Sequence, residues 1–162
     1  VKNEALFNME LIKHLPELTW EGTEVKKIKS YKADSVDYQV KVSFKNTGKL
    51  PTALSQAQLV KIVREDRVVL DFDTAGTGNV RFVKIIEDVK QAKPVTRRNQ
   101  YSDEEQSSRI TTTSKNMPFT QGGAVSTAVF NIRLYGKKEL SVKASVISTR
   151  GGILKDKEFV FR

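Results

Sequence analysis

One pair of residues in this sequence has the types and spacing of a metal-dependent active site. His14 and Glu17 spell H-x-x-E, and imidazole nitrogens and carboxylate oxygens are both common zinc ligands. Catalytic zinc requires three protein ligands and an open position, whereas this chain has one histidine and no cysteine. Pro16 also lies inside the motif, at the predicted end of a helix. We therefore interpret the motif as coincidental and predict no catalytic residue, no metal ligand and no cofactor.

The same shortage of histidine and cysteine argues against the common nucleophilic mechanisms. A Ser–His or Cys–His pair could be built only on His14, in a segment that shows no sign of a pocket. We therefore predict that the chain is not an enzyme. Its 162 residues suit a single domain that is long enough to bury a core without disulfide bonds.

The elements that would position any functional residue are organised around residues 38–63. Strict alternation of apolar and polar residues at the start of this stretch predicts a half-buried strand. A shaped turn follows, in which Gly48 is expected to provide a position where positive φ costs little. A second apolar run, Leu59 to Val63, predicts the next strand. The turn motif consists of Asn46, Thr47, Gly48, Leu50, Pro51 and Thr52.

The rest of the chain repeats this β pattern. Thr23 to Tyr31 predicts a first strand, in which Val25 and Ile28 break the alternation and indicate a bulge. Near the C-terminus, two alternating runs are joined at residues 135–138, which predicts a hairpin. We predict an all-β, immunoglobulin-like antiparallel sandwich of about eight strands with a short N-terminal helix. Its inward-facing residues are predicted to be Tyr38, Val40, Val42, Phe44, Phe130, Ile132, Leu140, Val142 and Val146.

Two segments fall outside the regular β pattern. Residues 1–20 are predicted to form a helix from Asn3 to Leu15 and a lead-in, with the sandwich occupying residues 21–162. Within the sandwich, residues 88–117 are polar and poor in aliphatic side chains, which predicts a loop insertion. Arg97, Arg98 and Tyr101 in this insertion are candidate ligand-binding residues.

Three parts of the sequence carry a resemblance to a known family. They are the segment N-T-G-K-L-P-T with the Gln56-Ala57 pair after it, the segments A-L-F and H-L-P-E-L before it, and S-T-R-G-G near the end. Together they resemble the C-terminal β-sandwich module appended to bacterial M14-type zinc carboxypeptidases. The resemblance implies a non-catalytic accessory or interaction module, supplied here as a fragment of a larger protein. It also implies a bacterial, periplasmic or extracellular location.

The partner implied by this resemblance is an upstream catalytic domain of the same polypeptide. Leu6, Met9, Leu15 and Trp20 are our candidates for contact with that domain, because they precede most of the sandwich. The sequence has no initiator methionine at Val1 and no signal peptide, and we interpret it as a mature or excised fragment.

The net charge of +9 supports an alternative function. A basic surface suits an anionic glycan or a nucleic acid, so the chain could be an independent binding domain. The lysines are nevertheless spread along the predicted strands, where they also prevent edge-to-edge pairing. We expect polyanion binding to be the less favoured function. No apolar run approaches the roughly 20 residues that a membrane-spanning helix requires.

Overall fold

The computed structural model describes residues 2–31, 35–72, 80–86, 112–136 and 139–161. Two helices and eight strands follow one another along this part of the chain. The elements are α1 (Lys2–Ile12), β1 (Leu18–Tyr31), β2 (Ser35–Asn46), α2 (Ser55–Leu59), β3 (Asp66–Phe72), β4 (Val80–Ile85), β5 (Thr112–Met117), β6 (Val125–Gly136), β7 (Leu140–Ser148) and β8 (Gly152–Phe161).

The strands form two four-stranded antiparallel sheets packed face to face. One sheet has the order β1-β2-β6-β4 and the other has the order β5-β3-β7-β8. Every residue predicted to point inward is buried in the core between the sheets. The predicted all-β sandwich with eight strands and a short N-terminal helix is therefore confirmed.

The pairing of β2 with β6 shows why alternation was a good guide to the core. Val40 lies opposite Phe130 and Tyr38 lies opposite Ile132, so one face of both strands is continuously apolar. Burying such a face removes apolar area from water, and the opposite sheet supplies the other wall. The bulge predicted in β1 is also present, as a register shift between Lys27 and Lys29.

The strand predicted from Leu59 to Val63 is wrong. Ser55–Leu59 form the short helix α2, and the chain then turns through Lys61, which has φ of 54°. Leu59 and Ile62 are 80% and 77% exposed, so the apolar run does not enter the core. An apolar run without alternation does not specify strand or helix, and the preceding Gln and Ala residues favour a helix.

The predicted polar insertion at 88–117 ends too late. Thr112–Met117 form strand β5, which pairs with β3 along its length. Its side chains are mostly exposed, so the strand is held by backbone pairing and gives little apolar signal. Arg97, Arg98 and Tyr101 lie outside the described residues. The predicted start of the sandwich, at residue 21, is three residues too late, because β1 begins at Leu18.

The predicted hairpin between the two C-terminal runs is also wrong. Strand β6 belongs to the first sheet and β7 to the second, so the two strands do not pair with each other. Two alternating segments separated by a short turn have the same sequence pattern whether the strands pair within one sheet or pack against each other from opposite sheets. Here their apolar faces meet across the core.

Phe44 tests the assignment of the inward face. Its side chain has no exposed surface, and Phe44→Ala should lower the free energy of unfolding by about 3–5 kcal/mol through lost burial and a residual cavity. Val125→Ala, at a half-exposed site on the neighbouring strand, is the control and should cost about 1 kcal/mol or less. Urea titrations of both variants would check this. Equal costs would mean that the inward face is misassigned.

Candidate interaction site

Three segments that are far apart in sequence meet at one end of the sandwich. They are the residues that follow α1, the turn motif with α2, and the β7–β8 turn that contains Arg150. Between them lies an open apolar cleft, which we call the end cleft. Its larger compartment, of about 510 Å³, is lined by Leu54, Gln56, Ala57, Leu59, Val60, Ile62 and Arg150. Its smaller compartment, of about 200 Å³, is lined by Leu15, Pro16, Leu50, Pro51, Leu54 and Arg150.

The buried side chain of Asn46 holds this end of the molecule together. Its Oδ1 accepts hydrogen bonds from the backbone N–H groups of Glu17 and Gly48, both at 3.1 Å. Its Nδ2 donates to the carbonyl of Leu50 at 2.8 Å and to that of Thr120 at 3.3 Å. A side-chain amide has two acceptor sites and two donor hydrogens, so every one of them is used. One residue thus joins the start of β1, the turn motif and the loop before β6.

Backbone hydrogen bonds fix the connection after α1 onto the turn motif. The N–H of Leu50 donates to the carbonyl of His14 at 2.9 Å. The N–H of Thr47 donates to the carbonyl of Glu17 at 2.7 Å, and its hydroxyl donates to the same oxygen at 3.1 Å. The turn motif therefore determines where α1 leaves the sandwich.

Gly48 is required because the backbone of Leu15 and Pro16 approaches it closely, and not because of the positive φ that we expected. Its φ is not in the positive range, unlike those of Gly123 and Gly152. A Cβ at Gly48 would lie 2.0 Å from the carbonyl oxygen of Leu15 and 2.8 Å from the Cα of Pro16. Both atoms are backbone, so they could not rotate away.

His14 takes part in a local hydrogen-bond network. Its Nδ1 lies 2.8 Å from the carbonyl of Glu10, and its Nε2 lies 2.9 Å from Nζ of Lys49. A carbonyl can only accept, so Nδ1 carries the proton and Nε2 accepts from the ammonium. The Lys13 ammonium that hydrogen-bonds the Glu10 carboxylate lowers the pKa of that carboxyl group. In the described part of the chain, no three His, Cys, Asp or Glu side chains are placed to share a metal ion.

A second buried polar network lies beside Asn46. Oδ2 of Asp66 accepts from the hydroxyl of Thr52 at 2.7 Å and from the N–H and hydroxyl of Thr120, both at 3.3 Å. The N–H of Thr52 donates to the carbonyl of Thr120, which also accepts from Asn46. The two networks therefore share Thr120 and anchor both ends of the turn motif.

Helix α1 has almost no support from the sandwich. Each of its residues from Asn3 to Ile12 is exposed, including Phe7 at 67%. An isolated helix of this length is marginally stable in water, and most helices are stabilised by packing an apolar face. No helix among the described residues has both the length and the apolar character needed to cross a membrane.

The candidate contact residues fall in different environments. Leu15 lines the end cleft, and Leu6 and Met9 lie on exposed turns of α1. Trp20 is half-buried and packs against the core. Sequence reasoning missed Leu54, Ile62 and Arg150 as cleft residues. The apolar run at 59–63 carried a usable signal, but we assigned it to a strand.

Gly48→Ala tests the close approach of the two segments. We expect the added methyl group to push the turn away from Leu15 and Pro16, which lowers the melting temperature by at least about 4 °C for a cost near 2 kcal/mol or more. Gly22→Ala is the matched control, because a Cβ there meets nothing within 4 Å. Thermal melts followed by circular dichroism would measure both variants. A Gly48→Ala protein as stable as the Gly22→Ala protein would contradict the geometry.

Comparisons with known proteins place the chain in a family and give a distant structural likeness. A family model described as Domain of unknown function (DUF8731) matches residues 17–157, which include the turn motif, α2 and Arg150 but not α1. A solved structure of an ApaA protein from Bordetella pertussis has 9% sequence identity and a TM-score of 0.48, and the match covers 91% of this chain and 94% of that one. The curated proteins contain no match. A likeness this distant says nothing about function.

Proposed function

We propose that this chain, which belongs to the family described as Domain of unknown function (DUF8731), is a non-catalytic interaction module that supports a neighbouring domain. The single observation that carries the proposal is the apolar surface at one end of an otherwise complete sandwich. There, the end cleft adjoins the last residues before β1, and α1 projects from the same end.

The distribution of apolar residues supports this function. The core strands bury their apolar faces, whereas Phe7, Leu59 and Ile62 expose more than three fifths of their surface. Contiguous exposed apolar patches on soluble proteins commonly mark interaction sites. The clustering of such residues around α1, α2 and the end cleft indicates a surface that a partner covers.

The proposed partner is an upstream zinc carboxypeptidase-like domain of the same polypeptide. We propose that this polypeptide is a secreted bacterial protein and that the present sandwich is of the immunoglobulin-like type. Support comes from position: three of the segments that carry the resemblance border the same cleft, through Pro16, Leu50 and Arg150. A further support is that His14, within H-x-x-E, uses both ring nitrogens in hydrogen bonds to Glu10 and Lys49. Zinc chemistry would therefore belong to the partner.

Binding of an anionic glycan or nucleic acid stays the alternative. Several strand cations already face a carboxylate, as in the pairs Lys41–Glu24, Arg133–Asp37 and Lys143–Glu158. Such pairs reduce the field that a polyanion would feel. Heparin binding that weakens steeply with added salt would favour the alternative.

Hydrogen exchange tests the proposed function. The isolated chain is compared by mass spectrometry with the complete polypeptide that contains it. In the complete polypeptide, we expect amides of α1 and α2 to exchange at least about tenfold more slowly, because a partner covers them. Amides of β7, which lies within its sheet, should exchange equally in both proteins.

Two matched variants sharpen this test. Ile62→Ser, on the end cleft, should reduce the added protection, whereas Val160→Ser, also exposed but on β8, should not. Equal exchange of α1 and α2 in the two proteins would overturn the proposal. A reading frame that encodes no domain with H-x-x-E and a distant histidine would overturn the proposed carboxypeptidase partner.

A further inference from the structure

We propose that the end cleft receives a partner segment with two apolar side chains and an aspartate or glutamate between them, and that Arg150 binds the carboxylate. This inference rests on the proposed function, because it specifies the chemistry of the surface that the partner presents. The observation that supports it is that the two compartments of the end cleft lie around one cation, Arg150.

The two compartments of the end cleft share Leu54 and Arg150. On one side of this shared boundary the lining is proline and leucine. On the other side it is Ile62 with residues of α2 and Val60, all aliphatic except Gln56. Each compartment exceeds the volume of a single aliphatic side chain. A bound segment would therefore place one apolar side chain on each side of Arg150.

Arg150 has no ion-pair partner among the described residues, unlike the arginine of the first sheet. Arg133 binds both carboxylate oxygens of Asp37, at 2.6 and 2.9 Å. Arg150 is exposed on the β7–β8 turn, where the N–H of Gly151 donates to the hydroxyl of Ser148 and fixes the backbone beside it. A guanidinium offers parallel donors that match a carboxylate, which makes it a selective binder of this group.

The surrounding charges favour an acidic segment over a basic one. Lys61 and Arg64 are exposed on either side of Ile62, and Lys49 donates to His14 next to the smaller compartment. Together with Arg150, these cations outnumber the exposed carboxylates of the same segments, Glu17 and Glu65. Positive charges around a docking surface disfavour basic partners and attract acidic ones. Apolar lining on both sides of Arg150 also favours a carboxylate within a segment over one at a chain terminus.

Titration with capped peptides tests the inference. The probe is acetyl-Leu-Ser-Asp-Ser-Leu-amide, in which the three key side chains share one face when the peptide is extended. A matched peptide carries Asn in place of Asp. We expect the acidic peptide to produce saturable NMR shifts at Leu54, Ile62 and Arg150, and to bind about threefold more tightly than the Asn peptide, as expected of an exposed ion pair.

Variants assign this preference to one side chain. Arg150→Gln should remove most of the preference for the acidic peptide, and its spectrum should otherwise superimpose on the native one because Arg150 is exposed. Lys157→Gln, which removes an exposed cation farther along β8, is the control and should keep the preference. A third peptide, with Asn and a free terminal carboxylate, distinguishes the two sources of the charge.

Four results would overturn the inference. They are no saturable shift with the acidic peptide, equal binding of the Asp and Asn peptides to the native chain, an unchanged preference in Arg150→Gln, or tighter binding of the peptide with the free terminal carboxylate. If α1 and α2 are protected in the complete polypeptide but the peptides fail, the proposed function stands and this chemistry is wrong. If the peptides bind as expected without such protection, the cleft serves a different partner.

Discussion

The buried amide of Asn46 is the interaction on which the functional end of this molecule depends. Its four hydrogen bonds reach groups that lie up to 74 residues away from Asn46 in sequence. Leaving buried backbone groups unpaired costs roughly 1–3 kcal/mol each, so no apolar residue could replace it cheaply. Because the bonds run to the start of β1 and to the turn motif, the same side chain determines both the exit of α1 and the shape of the end cleft.

The sandwich and its cleft illustrate two kinds of burial in one chain. In the core, residues such as Val40 and Phe130 lie opposite one another and are sealed by the second sheet. At the end, a polar frame built on Asn46 and Asp66 is buried, and the apolar residues Leu59 and Ile62 remain outside it. Four hydrogen bonds hold the Asn46 amide in place and three hold Oδ2 of Asp66, while Oδ1 of Asp66 is buried without a partner among the described residues. A preformed surface of this kind loses little entropy when a partner binds.

The sequence was a good guide wherever one physical pattern determined the outcome. Alternation predicted the inward residues of β2, β6 and β7, since an exposed apolar face on a strand is unfavourable. It could not predict β5, which is a polar edge strand held by backbone pairing to β3. Nor could it assign residues 59–63, because an unbroken apolar run fits a strand, a helix or a docking surface equally well.

The candidate site was predicted in part. The turn motif was identified, but the reason for Gly48 was not, because the backbone of Leu15 and Pro16 approaches it only in three dimensions. The sequence did not predict a role for Arg150 in the cleft, since nothing local shows that it borders Leu54. Long-range contacts of this sort depend on topology, which local patterns do not encode.

The distance between α1 and the sandwich tests the central claim most directly. The chain has no cysteine, so Lys13→Cys, directly after the last residue of α1, and Lys157→Cys on β8 can carry two spin labels without other changes. If the Asn46 network fixes the exit of α1, pulsed electron resonance should give one narrow distance distribution in this chain. Adding Asn46→Ala should broaden it while near-ultraviolet circular dichroism still reports a folded core. A broad distribution in the chain with Asn46 intact, or a narrow one that survives Asn46→Ala, would contradict the account.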